Sequence, residues 1–81
     1  MKRQAMILIT QIKCAGCFNR IDQLFRSHHA QQMKLDATTL KAYFVFNDEE
    51  LHLSSLLQDL ADASYPSYLL LNEPYDEISI A

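Results

Sequence analysis

Apolar positions along this chain change their spacing from segment to segment, and each spacing predicts a different element. Residues 6–10 form an apolar, β-branched run typical of a strand. Over residues 18–28 the apolar side chains recur at i, i+3 and i+4, which predicts an amphipathic helix. Residues 33–35 and 40–46 alternate and are separated by the turn-forming residues 36–39, so they predict a hairpin.

The second half of the chain repeats the change from helical to strand spacing. Leucines over residues 53–60 follow a helical period, with Ser55 and Gln58 at the spacing of a capping box. The Tyr-Pro pair at residues 65–66 is expected to end this helix, because the residue before proline disfavours helical backbone. Residues 68–71 form a last apolar strand.

The predicted order β-α-β-β-α-β is that of an α+β, ferredoxin-like fold. In this fold two helices pack on one face of a four-stranded antiparallel sheet. We expect a single domain over residues 1–71 and an acidic tail over residues 72–81, in which residues 78–80 are a possible edge strand. The predicted core consists of Ile7, Ile9, Ile21, Leu24, Phe25, Met33, Leu35, Ala42, Phe44, Leu56, Leu57 and Leu60.

The two halves of the 81-residue chain carry opposite charge. Residues 1–46 hold all seven Lys and Arg with two acidic residues, a net charge of +5. Residues 47–81 hold eight acidic residues and no Lys or Arg, a net charge of −8. Two solvated faces would give this division, and so would a basic patch near the cysteines that meets an acidic partner.

Composition and apolar run lengths exclude other classes of partner. The basic residues are few and have no glycine-aromatic motif beside them, so nucleic acid is not expected as a partner. No apolar run approaches the roughly 18 residues of a membrane span, so no membrane insertion is expected. The apolar stretch 5–9 is too short for a secretory signal, which predicts a cytoplasmic protein.

Cys14 and Cys17 are the only cysteines, and they lie where the first strand passes into the first helix. A helix start favours the thiolate form of cysteine, and Lys13 and Arg20 add positive potential. Gly16 is expected to let the loop turn tightly enough for both sulfurs to face one point. In a reducing compartment such a pair predicts metal or redox chemistry rather than a structural disulfide. Two thiolates without a third ligand suit low-coordinate Cu(I), whereas structural zinc takes four ligands.

The segment QIKCAGC at residues 11–17 resembles the Gly-Met-Thr-Cys-x-x-Cys element of the heavy-metal-associated domain. This family comprises small copper chaperones and the N-terminal domains of copper-transporting ATPases. Ile21 and Leu24 match the apolar positions of the family's first helix, and residues 41–44 match its third strand. Residues 62–65, Asp-Ala-Ser-Tyr, stand where the family commonly has an acidic residue, Ala, Gly and Tyr.

Some positions depart from the family's pattern or have two readings. Ile12 replaces the family's Met and keeps an apolar plug under the metal loop. Gln11 and Ser64 replace family glycines in the two loops that flank the site. Tyr65 is either an aromatic at the core edge or a residue whose hydroxyl lies near the sulfurs and limits water access.

The resemblance implies a non-enzymatic metal carrier. Cys14 and Cys17 would bind one Cu(I), with Zn(II), Hg(II) or another soft metal as alternatives, and pass it to a metal-transporting ATPase or other acceptor. Cys14 is expected to be the more exposed thiol, and Cys17 the more buried and better hydrogen-bonded one. Lys13, Ala15 and Arg20 would dock the acceptor, and a metal-bridged homodimer is a further possibility.

Two other functions remain open from the sequence. A thiol–disulfide oxidoreductase of the glutaredoxin type also places CxxC at a helix start, although nothing after Leu71 supplies the hairpin strand and final helix of that fold. A degenerate domain of the same family, used only for interaction and without metal, is the other alternative.

Overall fold

Six elements follow one another in the predicted order β-α-β-β-α-β. The structure is a computed structural model and describes residues 1–75. The elements are β1 Lys2–Ile9, α1 Ala15–Ser27, β2 Gln31–Leu35, β3 Lys41–Asn47, α2 Leu53–Asp62 and β4 Ser67–Pro74.

All four strands belong to one sheet of order β2-β3-β1-β4, in which every neighbouring pair is antiparallel. The central strand β1 pairs with both β3 and β4, so its buried residues Ala5, Ile7 and Ile9 lie at the middle of the core. The predicted ferredoxin-like fold is therefore confirmed. No helix within residues 1–75 has the length and apolar character to cross a bilayer.

The core lies between the sheet and the two helices, and the Phe25 ring of α1 meets the Phe44 ring of β3 edge-on at 5.0 Å. Eight of the twelve predicted core residues are buried, and the other four are partly buried and pack against the margin of the core. The residues at the margin are Leu24, Met33, Leu35 and Leu57. Buried residues that the sequence analysis did not assign to the core are Ala5, Cys17, Val45, Phe46, Leu51 and Tyr65.

The first helix begins earlier than predicted, and the second begins at the first leucine of its predicted spacing but without the predicted cap. α1 starts at Ala15, with Cys14 as an extended N-cap residue. α2 starts at Leu53 after His52, so Ser55 lies inside the helix and the predicted capping box is wrong. Gln58 instead donates a hydrogen bond to Asp62 at 3.0 Å. Neither N-cap side chain makes a capping hydrogen bond.

The last strand is longer than the predicted residues 68–71. β4 runs from Ser67 to Pro74 and so takes in residues 72–74, which the sequence analysis assigned to the tail. These residues pair with the start of β1, where Arg3 donates a hydrogen bond to Asn72 at 2.9 Å. The possible edge strand at residues 78–80 lies outside the described residues.

Each helix ends in a Schellman motif whose left-handed residue is not glycine. At the end of α2, the N–H of Ser64 donates to the carbonyl of Ala61 at 3.0 Å and the N–H of Tyr65 to that of Leu60 at 2.8 Å. Ser64 has φ 72°, and His29 occupies the same position after α1 with φ 65°. The motif at Ser64 carries Tyr65 from the end of α2 into the core.

Replacing Ser64 with glycine should stabilise the protein. A left-handed conformation costs a non-glycine residue about 1–2 kcal/mol. Part of this gain is lost, because glycine increases the conformational entropy of the unfolded chain and so lowers the free energy of unfolding by about 0.4–1 kcal/mol. We therefore expect Ser64→Gly to raise the free energy of unfolding by about 0.5–1 kcal/mol in urea denaturation.

The matched control is Ala61→Gly, which changes an exposed residue of the same helix in ordinary helical conformation. It should lower the free energy of unfolding by about 1 kcal/mol. Destabilisation of similar size in both variants would show that the conformation of Ser64 carries no such cost.

Candidate metal centre

The two cysteines lie one helical turn apart at the start of α1. Cys14 is the N-cap residue with extended backbone (φ −146°, ψ 156°), and the N–H of Cys17 donates to its carbonyl at 3.1 Å. Their Cα atoms are 5.3 Å apart, and the two sulfurs are joined in a disulfide. The first turn of the helix sets this separation, so the two Cα atoms stay close when the bond is reduced.

The two thiols differ in exposure, as predicted. Cys14 is exposed, whereas Cys17 is 8 % exposed and belongs to the hydrophobic core. The core thus holds one sulfur in place and leaves the other at the surface. The expectation that the Cys17 sulfur is the better hydrogen-bonded one stays a prediction.

The structure gathers most of the predicted site residues around this turn. Lys13, Ala15 and Arg20 are exposed, with Arg20 one further turn along α1. Ile12 is half-buried and packs against the core cluster that contains Cys17, which fits an apolar plug under the loop. Tyr65 is 5 % exposed and directly precedes Pro66, whose carbonyl accepts hydrogen bonds from Thr10 at the end of β1, so the Schellman motif of α2 brings this aromatic to the cysteine end.

The tight-turn role predicted for Gly16 is wrong. Gly16 lies inside the first turn of α1, and no glycine of the described chain has a positive φ. A Cβ added there would meet no atom within 4 Å. The helix itself, rather than a glycine turn, therefore brings the two cysteines to one side.

Three loops meet at the cysteine end of the molecule, and each contains a non-glycine residue in the left-handed region. These are Gln11 (φ 63°), Leu40 (φ 60°) and Ser64 (φ 72°). Gln11 and Ser64 are two positions where the resembled family has glycine, so the chain keeps a glycine-type backbone with other side chains. This conformation is unfavourable and persists where the surrounding structure holds it.

Hydrogen bonds of Ile9 and Thr10 that the sequence did not predict join these loops. The N–H of Ile9 donates to the carbonyl of Leu40 at 2.9 Å. The N–H and the hydroxyl of Thr10 both donate to the carbonyl of Pro66, at 2.9 and 2.8 Å. No sequence pattern predicted these contacts, because the apolar run placed Thr10 within the strand predicted over residues 6–10, whereas β1 ends at Ile9.

The site offers two sulfur ligands from the chain. Within residues 1–75, no group of three or more His, Cys, Asp or Glu side chains lies close enough to hold a metal ion. A surface depression of about 370 Å³ lies at the other end of the sheet, lined by Arg3, His52 and Asn72 among others and by no cysteine. This depression is therefore separate from the cysteine site, where Cys14 is exposed at the surface.

Known structures share this arrangement of strands and helices over nearly the whole chain. The N-terminal domain of a potential copper-translocating P-type ATPase from Bacillus subtilis, in the Cu(I)-loaded state, has a TM-score of 0.80 at 20 % identity, covering 95 % of this chain and 98 % of that one. Oxidised MerP from Ralstonia metallidurans CH34 has a TM-score of 0.78 at 18 % identity, covering 88 % and 100 %.

This chain has the heavy-metal-associated fold. A third structure with this fold is the Atx1–Cu(I)–Ccc2a complex, in which the matched chain has a TM-score of 0.71 at 17 % identity, covering 85 % of this chain and 96 % of that one. No family model matches the sequence, and no curated protein matches it significantly. At these identities the likeness establishes the heavy-metal-associated fold, and the assignment of Cys14 and Cys17 as metal ligands stays a prediction.

Proposed function

We propose that the reduced protein is a cytoplasmic Cu(I) carrier that binds one ion between Cys14 and Cys17 and passes it to an acceptor by ligand exchange. The observation that supports this most is the pairing of an exposed cysteine with a core-anchored one at a helix start. One ligand stays fixed while the other remains accessible to an incoming partner. The role involves transfer of a bound ion and no catalytic step.

The choice of Cu(I) follows from ligand chemistry. Soft thiolates favour Cu(I), and a two-coordinate site satisfies this ion, whereas structural zinc takes four ligands. Two thiolates and one Cu(I) leave a net charge of −1, which the start of α1 and the nearby Lys13 and Arg20 stabilise. Hg(II) and Zn(II) remain the competing soft or borderline ions that a titration must include.

The disulfide sets the condition for binding. Two thiolates become available only after two-electron reduction of the Cys14–Cys17 bond. The reducing cytoplasm keeps the two cysteines as free thiols. Metal binding is therefore expected for the reduced protein and not for the oxidised one.

Transfer would proceed through the exposed cysteine. An acceptor thiolate would approach the ion beside Cys14 and give a three-coordinate intermediate shared by the two proteins. Release of Cys14 and then of Cys17, as a second acceptor thiolate binds, would complete the exchange without free ion. The solved Atx1–Cu(I)–Ccc2a complex contains a chain of the same fold and supports such a partner for this protein.

The acceptor we propose is a domain of a metal-transporting ATPase with an acidic docking face. Lys13 and Arg20 give the cysteine end a basic rim around the exposed Ala15, and such transient contacts are small and steered by charge. A Cu(I)-bridged homodimer is the alternative assembly, since a second copy offers the same two thiols.

One other function is favoured by a specific observation. The disulfide between an exposed and a buried cysteine is the arrangement that a thiol–disulfide exchange protein uses. The chain does not have the glutaredoxin-type fold considered for such a protein, because its sheet is entirely antiparallel with the order β2-β3-β1-β4. An interaction domain without metal would be the remaining outcome if the reduced protein binds no ion.

Replacing Cys17 with serine should abolish tight Cu(I) binding. Mutations of residues around a metal site that leave all ligands in place lower metal affinity by up to about 100-fold. This variant loses one of its two ligands, so we expect its Cu(I) affinity to fall by more than that factor. A competition titration of the reduced protein against a Cu(I) chelator measures this. Wild type should bind one ion per pair of thiols.

Gly16→Ala is the matched control, because it changes the segment between the cysteines where a new Cβ meets no atom within 4 Å. Its affinity should equal that of wild type. Wild-type affinity in Cys17→Ser, with folding checked by circular dichroism, would exclude the two-thiolate site.

Reversing the charge of both Lys13 and Arg20 to Glu should slow metal transfer to the correct acceptor. Electrostatic steering changes association rates by about 10–1,000-fold at low salt. The effect should shrink from about 0.01 M to 0.15 M salt, as the Debye length falls from about 30 to 8 Å. Cu(I) affinity itself should stay within about tenfold, because neither residue is a ligand.

The control carries the same charge change elsewhere, at the exposed Arg26 in the last turn of α1 and Lys34 of β2. Its transfer rate should stay near that of wild type. Transfer that responds neither to the Lys13 and Arg20 reversal nor to salt, for every candidate ATPase domain, would remove the docking proposal and leave metal binding intact.

A further inference from the structure

Thr10 connects the loop that carries the first cysteine to the loop that carries Tyr65. It follows β1 directly, is half-buried, and donates two hydrogen bonds to one acceptor, the carbonyl of Pro66. The distances are 2.9 Å from its N–H and 2.8 Å from its hydroxyl. On the other side, the hydroxyl of Ser67 donates to the carbonyl of Tyr65 at 2.8 Å, so the receiving loop is itself held in place.

The residue after Thr10 explains why this attachment matters for the cysteines. Gln11 has φ 63°, a conformation that a non-glycine residue keeps only when its neighbours hold it there. Beyond it, residues 12 and 13 lead to Cys14 at the N-cap. The described backbone between β1 and α1 is therefore anchored at Thr10 on one side and at the helix on the other.

The two cysteines depend on this backbone to different degrees. Cys17 is fixed by α1 and by burial in the core, independently of the preceding loop. The carbonyl of Cys14 accepts from the N–H of Cys17 at 3.1 Å, but its side chain is exposed and makes no capping bond. In the reduced protein the direction of the Cys14 thiol therefore follows residues 10–13. The relative placement of the two thiols thus depends on how firmly this loop is held.

We propose that Thr10 is a positioning residue for the metal site, which holds Cys14 in line with Cys17 through its double hydrogen bond to Pro66. The inference rests on the proposed function for its effect on metal binding. Loss of the hydroxyl leaves the N–H bond but lets residues 11–13 sample other conformations. The second thiolate then spends less time within reach of the ion, and the bound ion is held less tightly.

The test compares Thr10→Val, which keeps the branched shape and removes the hydroxyl, with Thr10→Ser, which keeps the hydroxyl. Loss of one neutral hydrogen bond corresponds to a change of about 2–10-fold in an equilibrium constant, so Cu(I) affinity of reduced Thr10→Val should fall by about that factor. Thr10→Ser should recover wild-type affinity. Ser27→Ala, which removes a hydroxyl bond of 2.7 Å to Leu24 at the other end of α1, should leave affinity unchanged.

A purely structural role predicts a different pattern. It would lower the urea midpoint of Thr10→Val and leave the Cu(I) affinity of the folded protein at its wild-type value. Unchanged affinity in Thr10→Val overturns the proposal, and so does an equal loss in Thr10→Val and Thr10→Ser.

A measurement without metal separates this inference from the proposed function. Amide hydrogen exchange at residues 11–13 of the reduced, metal-free protein should be faster in Thr10→Val than in wild type or Thr10→Ser. Failure of wild type to bind Cu(I) would end the proposed function, and exchange would then decide whether Thr10 holds the loop. Equal exchange in all three proteins overturns the positioning role.

Discussion

Burial of Cys17 in the hydrophobic core is the constraint on which the rest of the site depends. The first turn of α1 places this side chain among the core residues and leaves Cys14, one turn earlier, at the surface. One thiol is consequently held within the core while the other is exposed, which is the asymmetry that the proposed ligand exchange uses. A pair with both sulfurs buried would bind an ion without access for an acceptor, and a pair with both exposed would lack a fixed ligand.

The fold supports this asymmetry by bringing three loops to one end of the sheet. β1 ends there, β3 and β4 begin there, and the antiparallel pairing of β1 with both of them fixes the loops beside one another. Each loop holds a non-glycine residue in the left-handed region, at Gln11, Leu40 and Ser64. Backbone of this kind is unfavourable for a non-glycine residue and persists where the surrounding structure maintains it. Ile9 donates a hydrogen bond to Leu40 in the loop before β3, and Thr10 donates two to Pro66 in the loop before β4.

Periodicity in the sequence predicted β3 and the two helices well because each of them has a clear apolar face that is buried. The alternation at Ala42 and Phe44 and the helical spacing of Leu56 and Leu60 are direct consequences of packing between sheet and helices. Helix starts were predicted less well, because Cys14 and His52 are not the Ser, Thr, Asp or Asn residues that normally mark an N-cap.

Features that depend on tertiary contacts were beyond the sequence. Leu51 follows an acidic stretch that reads as a solvated turn, yet its side chain is 2 % exposed. Leu57 fits the helical period, but its position on the helix flank leaves it at the core margin. The cysteine pair and Tyr65 were found from spacing and family resemblance, whereas Thr10 acts through a partner, Pro66, that lies 56 residues away along the chain.

X-ray absorption spectroscopy of the reduced protein loaded with one equivalent of Cu(I), without added thiols, is the decisive measurement for the two-thiolate site. It reports the number and type of atoms bound to the ion. We predict two sulfur neighbours, one from Cys14 and one from Cys17, at a protein concentration where the chain is monomeric. A shell of nitrogen or oxygen atoms, or one of three or four sulfurs shared between two copies, would contradict a single ion held by one chain.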